Sequence, residues 1–166
     1  MRSVVAKPAG LMLFSAVWLA ACQHQPSPTL PPLPPQQIET GSTLNLLAPL
    51  TFPAGRSELL FQAQKQVAAE ALSPTLPYCK LVSPLAGAHS VTAGPMTVTG
   101  VNYDEREAGQ SSAMFSMTRI SLSAGSQSSG YEMRCGWPRP SSNPAFLTTE
   151  QIYGAIGGQF SMQLRR

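Results

Sequence analysis

Met114-Phe-Ser-Met-Thr-Arg-Ile-Ser-Leu122, then a Ser/Gly turn from Gly125 to Gly130, then Tyr131-Glu-Met-Arg-Cys-Gly-Trp137, is the stretch that decides the fold class. In an extended chain successive side chains point to opposite faces. Met114, Ile120 and Leu122 therefore share one face, and Phe115 and Met117 share the other. Apolar positions spaced this way, broken by a flexible turn and resumed, predict a β-hairpin.

The neighbouring segments extend the β reading in both directions. Met96-Thr-Val-Thr-Gly-Val-Asn-Tyr103 alternates apolar and polar residues through its first half, and Asp104 to Gly109 reads as a solvated turn. Upstream, Leu44 to Phe52 reads as one strand, irregular at Pro49, and Ser57 to Gln62 as its hairpin partner through the turn Pro53-Ala-Gly-Arg56. Lys65 to Leu72 fits either a short helix or a strand extension. Tyr78 to Val82 is a short strand, and Gly87 to Ala93 a loop. Near the end, Thr148 with Gln151 three residues later forms a capping-box pattern, and Gly157-Gly158 supplies stop chemistry. One helix is predicted there, followed by a last strand from Phe160 to Leu164. The fold class is mainly β (α+β): a small antiparallel β-sandwich or barrel, one helix in the C-terminal region and one disulfide.

The N-terminus has a separate character. Arg2 and Lys7 precede the apolar run Leu11-Met-Leu-Phe-Ser-Ala-Val-Trp-Leu19, which is shorter than the roughly 20 residues a membrane span requires and has the anatomy of a secretory signal. Its ending, Leu19-Ala20-Ala21-Cys22, resembles the lipobox of bacterial lipoproteins. The resemblance covers only these first two dozen residues. It implies removal of residues 1–21 as a signal peptide, lipidation of Cys22, and attachment to a membrane without a transmembrane helix, since two or more acyl chains anchor stably. Gln23 rather than Asp after the cysteine implies the outer membrane, periplasmic face. Residues 22–42 form the lipidated cysteine and a tether, with Pro26, Pro28, Pro31, Pro32, Pro34 and Pro35 close together. Such a segment favours polyproline II and reaches about 35 Å. Residues 43–166 are then the β-rich periplasmic domain.

Without residues 1–21 the chain has 145 residues, and its formal charge falls from +3 to +1 because Arg2 and Lys7 leave. That size suits one domain, and a nearly neutral domain gives no case for nucleic-acid binding. With Cys22 lipidated, Cys79 and Cys135 are left as a pair in a compartment that permits disulfides. The rival reading is two free or metal-binding thiols, but ligand spacing and neighbouring histidines are lacking.

Catalytic constellations are scarce. His89 is the only histidine of the domain and reads as an exposed loop residue; no Gly-x-Ser-x-Gly or His-Glu-x-x-His run occurs. Asp104-Glu105-x-Glu107 lacks the calcium-loop pattern of oxygen donors. Met96, Met114, Met117, Met133 and Met162 raise Cu(I) ligation, yet methionines also serve as adaptable core fillers. No metal and no cofactor is expected. The loop Cys135-Gly-Trp137-Pro-Arg139-Pro places an aromatic beside a cation, as binding surfaces do. Tyr103, Trp137 and Arg139 are thus the candidate binding surface, with Trp137 packing over the disulfide as the alternative. The expected function is a non-enzymatic, outer-membrane-anchored lipoprotein, an accessory or structural component of an envelope assembly with a protein partner. The alternative is a periplasmic module binding a glycan, peptidoglycan or small ligand. A concave pocket lined by aromatics favours the latter, and a flat apolar patch at a strand edge the former.

Overall fold

A computed structural model describes residues 37–107, 114–125, 130–140 and 145–165. The segment read as a signal peptide, Cys22, and the segment read as a tether as far as residue 36 lie outside the described residues, as does most of the turn between Gly125 and Gly130.

The hairpin predicted around Met114 and Tyr131 is present and sits at the middle of the main sheet. Ten strands are described: β1 (Thr43–Leu46), β2 (Leu50–Phe52), β3 (Glu58–Gln62), β4 (Lys65–Val67), β5 (Tyr78–Val82), β6 (His89–Val91), β7 (Gly94–Glu107), β8 (Met114–Ala124), β9 (Gly130–Gly136) and β10 (Phe160–Gln163). A 3-10 turn covers Ala69–Ala71, and helix α1 covers Thr149–Ile156. Eight strands form one antiparallel sheet in the order β10-β1-β7-β8-β9-β5-β3-β4, while β2 and β6 pair separately. The mainly β expectation with one helix is therefore met, as a curled sheet that makes a half-barrel.

Curling brings distant strands together over the helix. Ile152, Ala155 and Ile156 form the buried face of α1, which contacts β3, β5 and β10. Phe61 on β3 and Phe160 on β10 meet edge to face, with centroids 5.9 Å apart and planes at 85°. Both rings are fully buried. The edge strand β10 and the penultimate strand β3 thus share one core, in which Leu44, Leu46, Leu81, Val98, Ile120, Leu122 and Met133 are also fully or almost fully buried.

The register accounts for the disulfide. Cys79 and Cys135 are direct partners on β5 and β9, and their sulfurs are bonded across a Cα separation of 4.1 Å. That spacing belongs to a non-hydrogen-bonded antiparallel pair, where facing side chains lie closest. Both cysteines are fully buried.

Several segments differ from the sequence reading. Leu44 to Phe52 is not one strand: β1 ends at Leu46 and β2 begins at Leu50, on either side of Pro49, and they enter different sheets. Pro lacks the N–H a central ladder needs. Consequently the turn at Pro53–Arg56 forms, with Arg56 N–H donating to the Pro53 carbonyl, but it joins no hairpin. Instead β2 pairs with β6, and β3 pairs with β4 and β5. Lys65 to Leu72 is split between β4 and the 3-10 turn. Asp104 to Glu107 is not a turn but the far end of β7, opposite Met117 to Met114.

The β3–β4 connection is strained and braced. Ala63 and Gln64 have φ of 49° and 65°, the left-handed values a two-residue hairpin turn demands and usually gives to Asn-Gly. Gln64 N–H donates to the Ala155 carbonyl at 3.0 Å, tying the turn to the end of α1. Gly158 lies so close that a Cβ there would sit 2.0 Å from the Gln64 carbonyl oxygen. Gln62 is buried yet satisfied: its amide donates to the Ser73 and Leu76 carbonyls and accepts from Ser73 N–H.

The chain enters the domain already packed. Ile38 and Ser42 are buried, Gly41 N–H donates to the Val98 carbonyl, and Val98 N–H donates to the Ser42 carbonyl. The Ser42 hydroxyl accepts from Arg165 N–H, so both ends of the domain meet beside β1. No helix among the described residues is long and apolar enough to cross a membrane.

Candidate functional site

A bulge in β7 creates the site. Val98 pairs with Leu122 and Gly100 with Ser121, so the register shifts between them. One extra residue in a strand moves every later side chain to the opposite face. Met96 and Val98 face the core; beyond the bulge Val101 and Tyr103 lie on that same side of the sheet, opposite Ile120 and Thr118. Were Thr99 paired in regular register, Tyr103 would stand on the outer face, opposite Met117.

Tyr103 reaches the end of the sheet where the segment after β9 returns to start α1. Phe146 meets its ring edge to face at 5.0 Å. Leu147 and Ile152 occupy the two positions of a hydrophobic staple around the capping residue Thr148, and both are buried. With Ile38 they wall a cleft of about 430 Å³ whose far side is Thr118 on β8. That volume lies in the range of small-molecule sites, which are concave and mostly apolar with a few placed polar groups.

Those polar groups are unevenly satisfied. At the start of α1 the Thr148 hydroxyl accepts from Gln151 N–H at 3.3 Å, and Thr148 N–H donates to Gln151 Oε1 at 2.9 Å. The first-turn residue Glu150 is held below the usual carboxylate range by its own backbone N–H and by the Thr148 side chain. The helix start is thus capped and carries a carboxylate. On β8 the hydroxyls of Thr118 and Ser116, two residues apart on the same face, are shielded from solvent and have no hydrogen-bond partner among the described residues; of the two, Thr118 borders the cleft. Thr118 is 2% exposed and Ser116 7%. Buried hydroxyls are nearly always paired, because leaving one unpaired costs about 1–3 kcal/mol.

The outer face of the sheet carries a ladder of ion pairs. Arg119 binds Asp104 at 3.0 Å and Glu132 at 2.8 Å, Arg134 also binds Glu132, and Lys80 binds Glu58 at 2.8 Å. Burial pushes the Glu132 carboxyl up, but the hydrogen bonds from Arg119 and Arg134 outweigh it and hold it below the usual range. Phe115 and Met117 lie half-buried on this face.

His89 is not in an exposed loop. It lies in β6, stacked on Phe52 with centroids 4.6 Å apart, and its Nδ1 donates to the Gly87 carbonyl at 2.9 Å. Nε2 forms the second hydrogen bond of the ring, with the buried Ser83 hydroxyl at 2.7 Å. The Ser83 oxygen also accepts from Leu85 N–H, so the pair serves to lock the loop between β5 and β6. No group of three or more His, Cys, Asp or Glu able to hold a metal ion occurs among the described residues.

Of the three residues read as a binding surface, Tyr103 lies in the cleft and is 50% exposed. Trp137 is half-buried against the core that contains the disulfide, and Arg139 is exposed; neither lines the cleft. Thr118, Phe146 and Ile38 were not legible as site residues. The staple positions Leu147 and Ile152 around the capping box were the available signal that Phe146 is held in place. Comparison with protein-family models, curated proteins and solved structures finds no match for this chain.

Proposed function

We propose that this chain is a lipid-anchored protein of the bacterial envelope, held at the periplasmic face of the outer membrane through Cys22. Its β-rich domain is a non-enzymatic module that binds a small apolar ligand. The cleft between Tyr103, Phe146 and the start of α1 carries this reading, because it is concave and aromatic rather than a flat patch at a strand edge. The anchor rests on the sequence at Leu19 to Cys22 and the proline-rich segment after it.

Two measurements test the two halves. Palmitate labelling and membrane fractionation should retain the wild-type chain in the membrane and release Cys22→Ser. Titration of the domain with N-phenyl-1-naphthylamine, a neutral dye that brightens in apolar sites, should saturate at one site and weaken in Phe146→Ser. Unsaturable binding, or binding indifferent to Phe146→Ser, refutes the ligand reading. The second reading, an accessory component of an envelope assembly, draws on β10 and β4, which end the sheet order with one hydrogen-bonded neighbour each. Such edges accept a strand from a partner. A stoichiometric envelope protein crosslinked in native membranes, with no dye binding, favours it.

A further inference from the structure

We infer that the far half of β7 is an open edge that accepts an extended segment of a partner protein by antiparallel strand addition. The segment carries an apolar residue opposite Tyr103 and a lysine or arginine opposite Glu105. This surface lies apart from the edges of β10 and β4, and it does not depend on the small-ligand reading.

The open edge follows from the register. Cys79 and Cys135 form a non-hydrogen-bonded pair across a Cα separation of 4.1 Å, so Cys135 turns its N–H and C=O toward β8. Thr118, opposite Cys135, exchanges bonds with it and so turns away from β7. Tyr103, opposite Thr118, therefore turns its own N–H and C=O away from β8. Val101 and Glu105, two residues to either side, do the same. On that side β1 pairs with β7 only from Gly94 to Thr97, and the last backbone bonds join Val98 to Gly41 and Ser42. There the chain ahead of β1 turns off. Gly41 takes a φ of 92°, Ser42 N–H donates to the Glu39 carbonyl, and Ile38 is buried. Among the described residues no backbone bond reaches Val101, Tyr103 or Glu105 from that side. Three N–H and three C=O groups are thus presented along about 14 Å of strand.

An edge of this kind is a template for another strand: its main-chain groups supply affinity, and its side chains choose the partner. Residues directly opposed on one face interact, and aromatic–aliphatic and opposite-charge pairs do so favourably. Tyr103 offers a ring that is 50% exposed. Glu105 is exposed and makes no ion pair among the described residues, whereas Asp104, on the other face, is already held by Arg119. Glu150 adds negative charge just beyond Thr148 and Thr149, which line the cleft with Tyr103. The edge thus asks for an apolar residue with a cation two positions before it.

The test uses the full-length chain in detergent and a fluorescein-labelled peptide, Thr-Lys-Thr-Leu-Thr-Val-Thr, read by anisotropy. In antiparallel register its Lys, Leu and Val face Glu105, Tyr103 and Val101. Residue-resolved hydrogen exchange should first show open amides at Val101, Tyr103 and Glu105 and protected amides at Asn102 and Asp104, then protection of all five with peptide. N-methylation of the peptide Leu, whose N–H faces β7, should weaken binding at least about 10-fold, and N-methylation of the Thr before it by no more than about 2-fold. Glu105→Lys should weaken binding about 5-fold and reverse the preference for Lys over Glu in the peptide; thermal melting confirms that this variant is folded. Open-side amides already protected without peptide, no saturable binding, equal effects of the two methylations, or a preference indifferent to Glu105→Lys overturns the inference. None of these outcomes bears on dye binding in the cleft.

Discussion

If the sheet closes over α1 as described, Phe61 and Phe160 must be energetically coupled although they lie 99 positions apart in sequence. The perturbation is a double-mutant cycle with Phe61→Leu and Phe160→Leu, chosen because leucine keeps most of the buried apolar volume. Each ring is fully buried, so each single substitution should cost about 1–2 kcal/mol. An edge-to-face pair contributes about 0.5–1.5 kcal/mol beyond its area, and the centroid distance of 5.9 Å with planes at 85° lies within that geometry. The double variant should therefore be less destabilised than the sum of the singles by about 1 kcal/mol. Urea unfolding followed by far-UV circular dichroism, with the disulfide oxidised throughout, measures all four corners. Equal m-values across the set certify that the denatured state has not changed. Additivity within about 0.3 kcal/mol would mean that β3 and β10 do not share a core, and the half-barrel would be wrong.

The Ala63–Gln64 turn makes an opposite-sign prediction. Replacing it with Asn-Gly should raise stability by about 1–2 kcal/mol, by relieving two left-handed residues, and an unchanged urea midpoint would contradict the strain. The disulfide spans a separation of 56 residues, so Cys79→Ala with Cys135→Ala should cost about 4 kcal/mol on the chain-entropy model; a loss under about 1 kcal/mol, outside that model, would show that the sheet holds the two strands together unaided. Glu132 titrates lower in the folded than in the unfolded chain. Its contribution is therefore fully present above the usual carboxylate range and is lost as pH falls through the lowered value. Glu132→Gln should flatten the acid limb of stability against pH, and an acid limb identical to wild type would discount the Arg119–Glu132–Arg134 cluster.

Local signals in the sequence located elements better than it paired them. The Met114 and Tyr131 strands, the capping box at Thr148 and Gln151, and the strand at Phe160 are each encoded within a few residues, by side-chain alternation or by a cap. Whether Leu50 to Phe52 pairs with Ser57 to Gln62 or with His89 to Val91 depends on contacts between segments about 40 residues apart, which no local pattern carries. The bulge at Thr99 was equally silent. The alternation from Met96 fades at Gly100, which reads as a weakening strand, whereas the strand in fact continues to Glu107 with its faces exchanged. That exchange also hid the site, because it puts Tyr103 on the inner side, over Thr118, and leaves Asp104 outside with Arg119. Trp137 attracted notice as a large aromatic beside Arg139, but its ring is half-buried against the core. Thr118 gave no signal because a threonine in a strand is ordinary until its neighbours are known.

The position of β1 has a mechanical consequence. Load arriving through the N-terminal segment reaches the domain at Gly41 to Ser42, where the backbone is bonded to Val98, and passes into a strand laddered to β7 on one side and β10 on the other. Tension drawn along β1 from that segment therefore shears two ladders at once instead of peeling an edge strand bond by bond. The Ser42 hydroxyl, holding Arg165 N–H, adds the final strand to the same anchorage. The cleft is coupled to that anchorage, because Gln37 and Ile38, just ahead of the grip, help to line it.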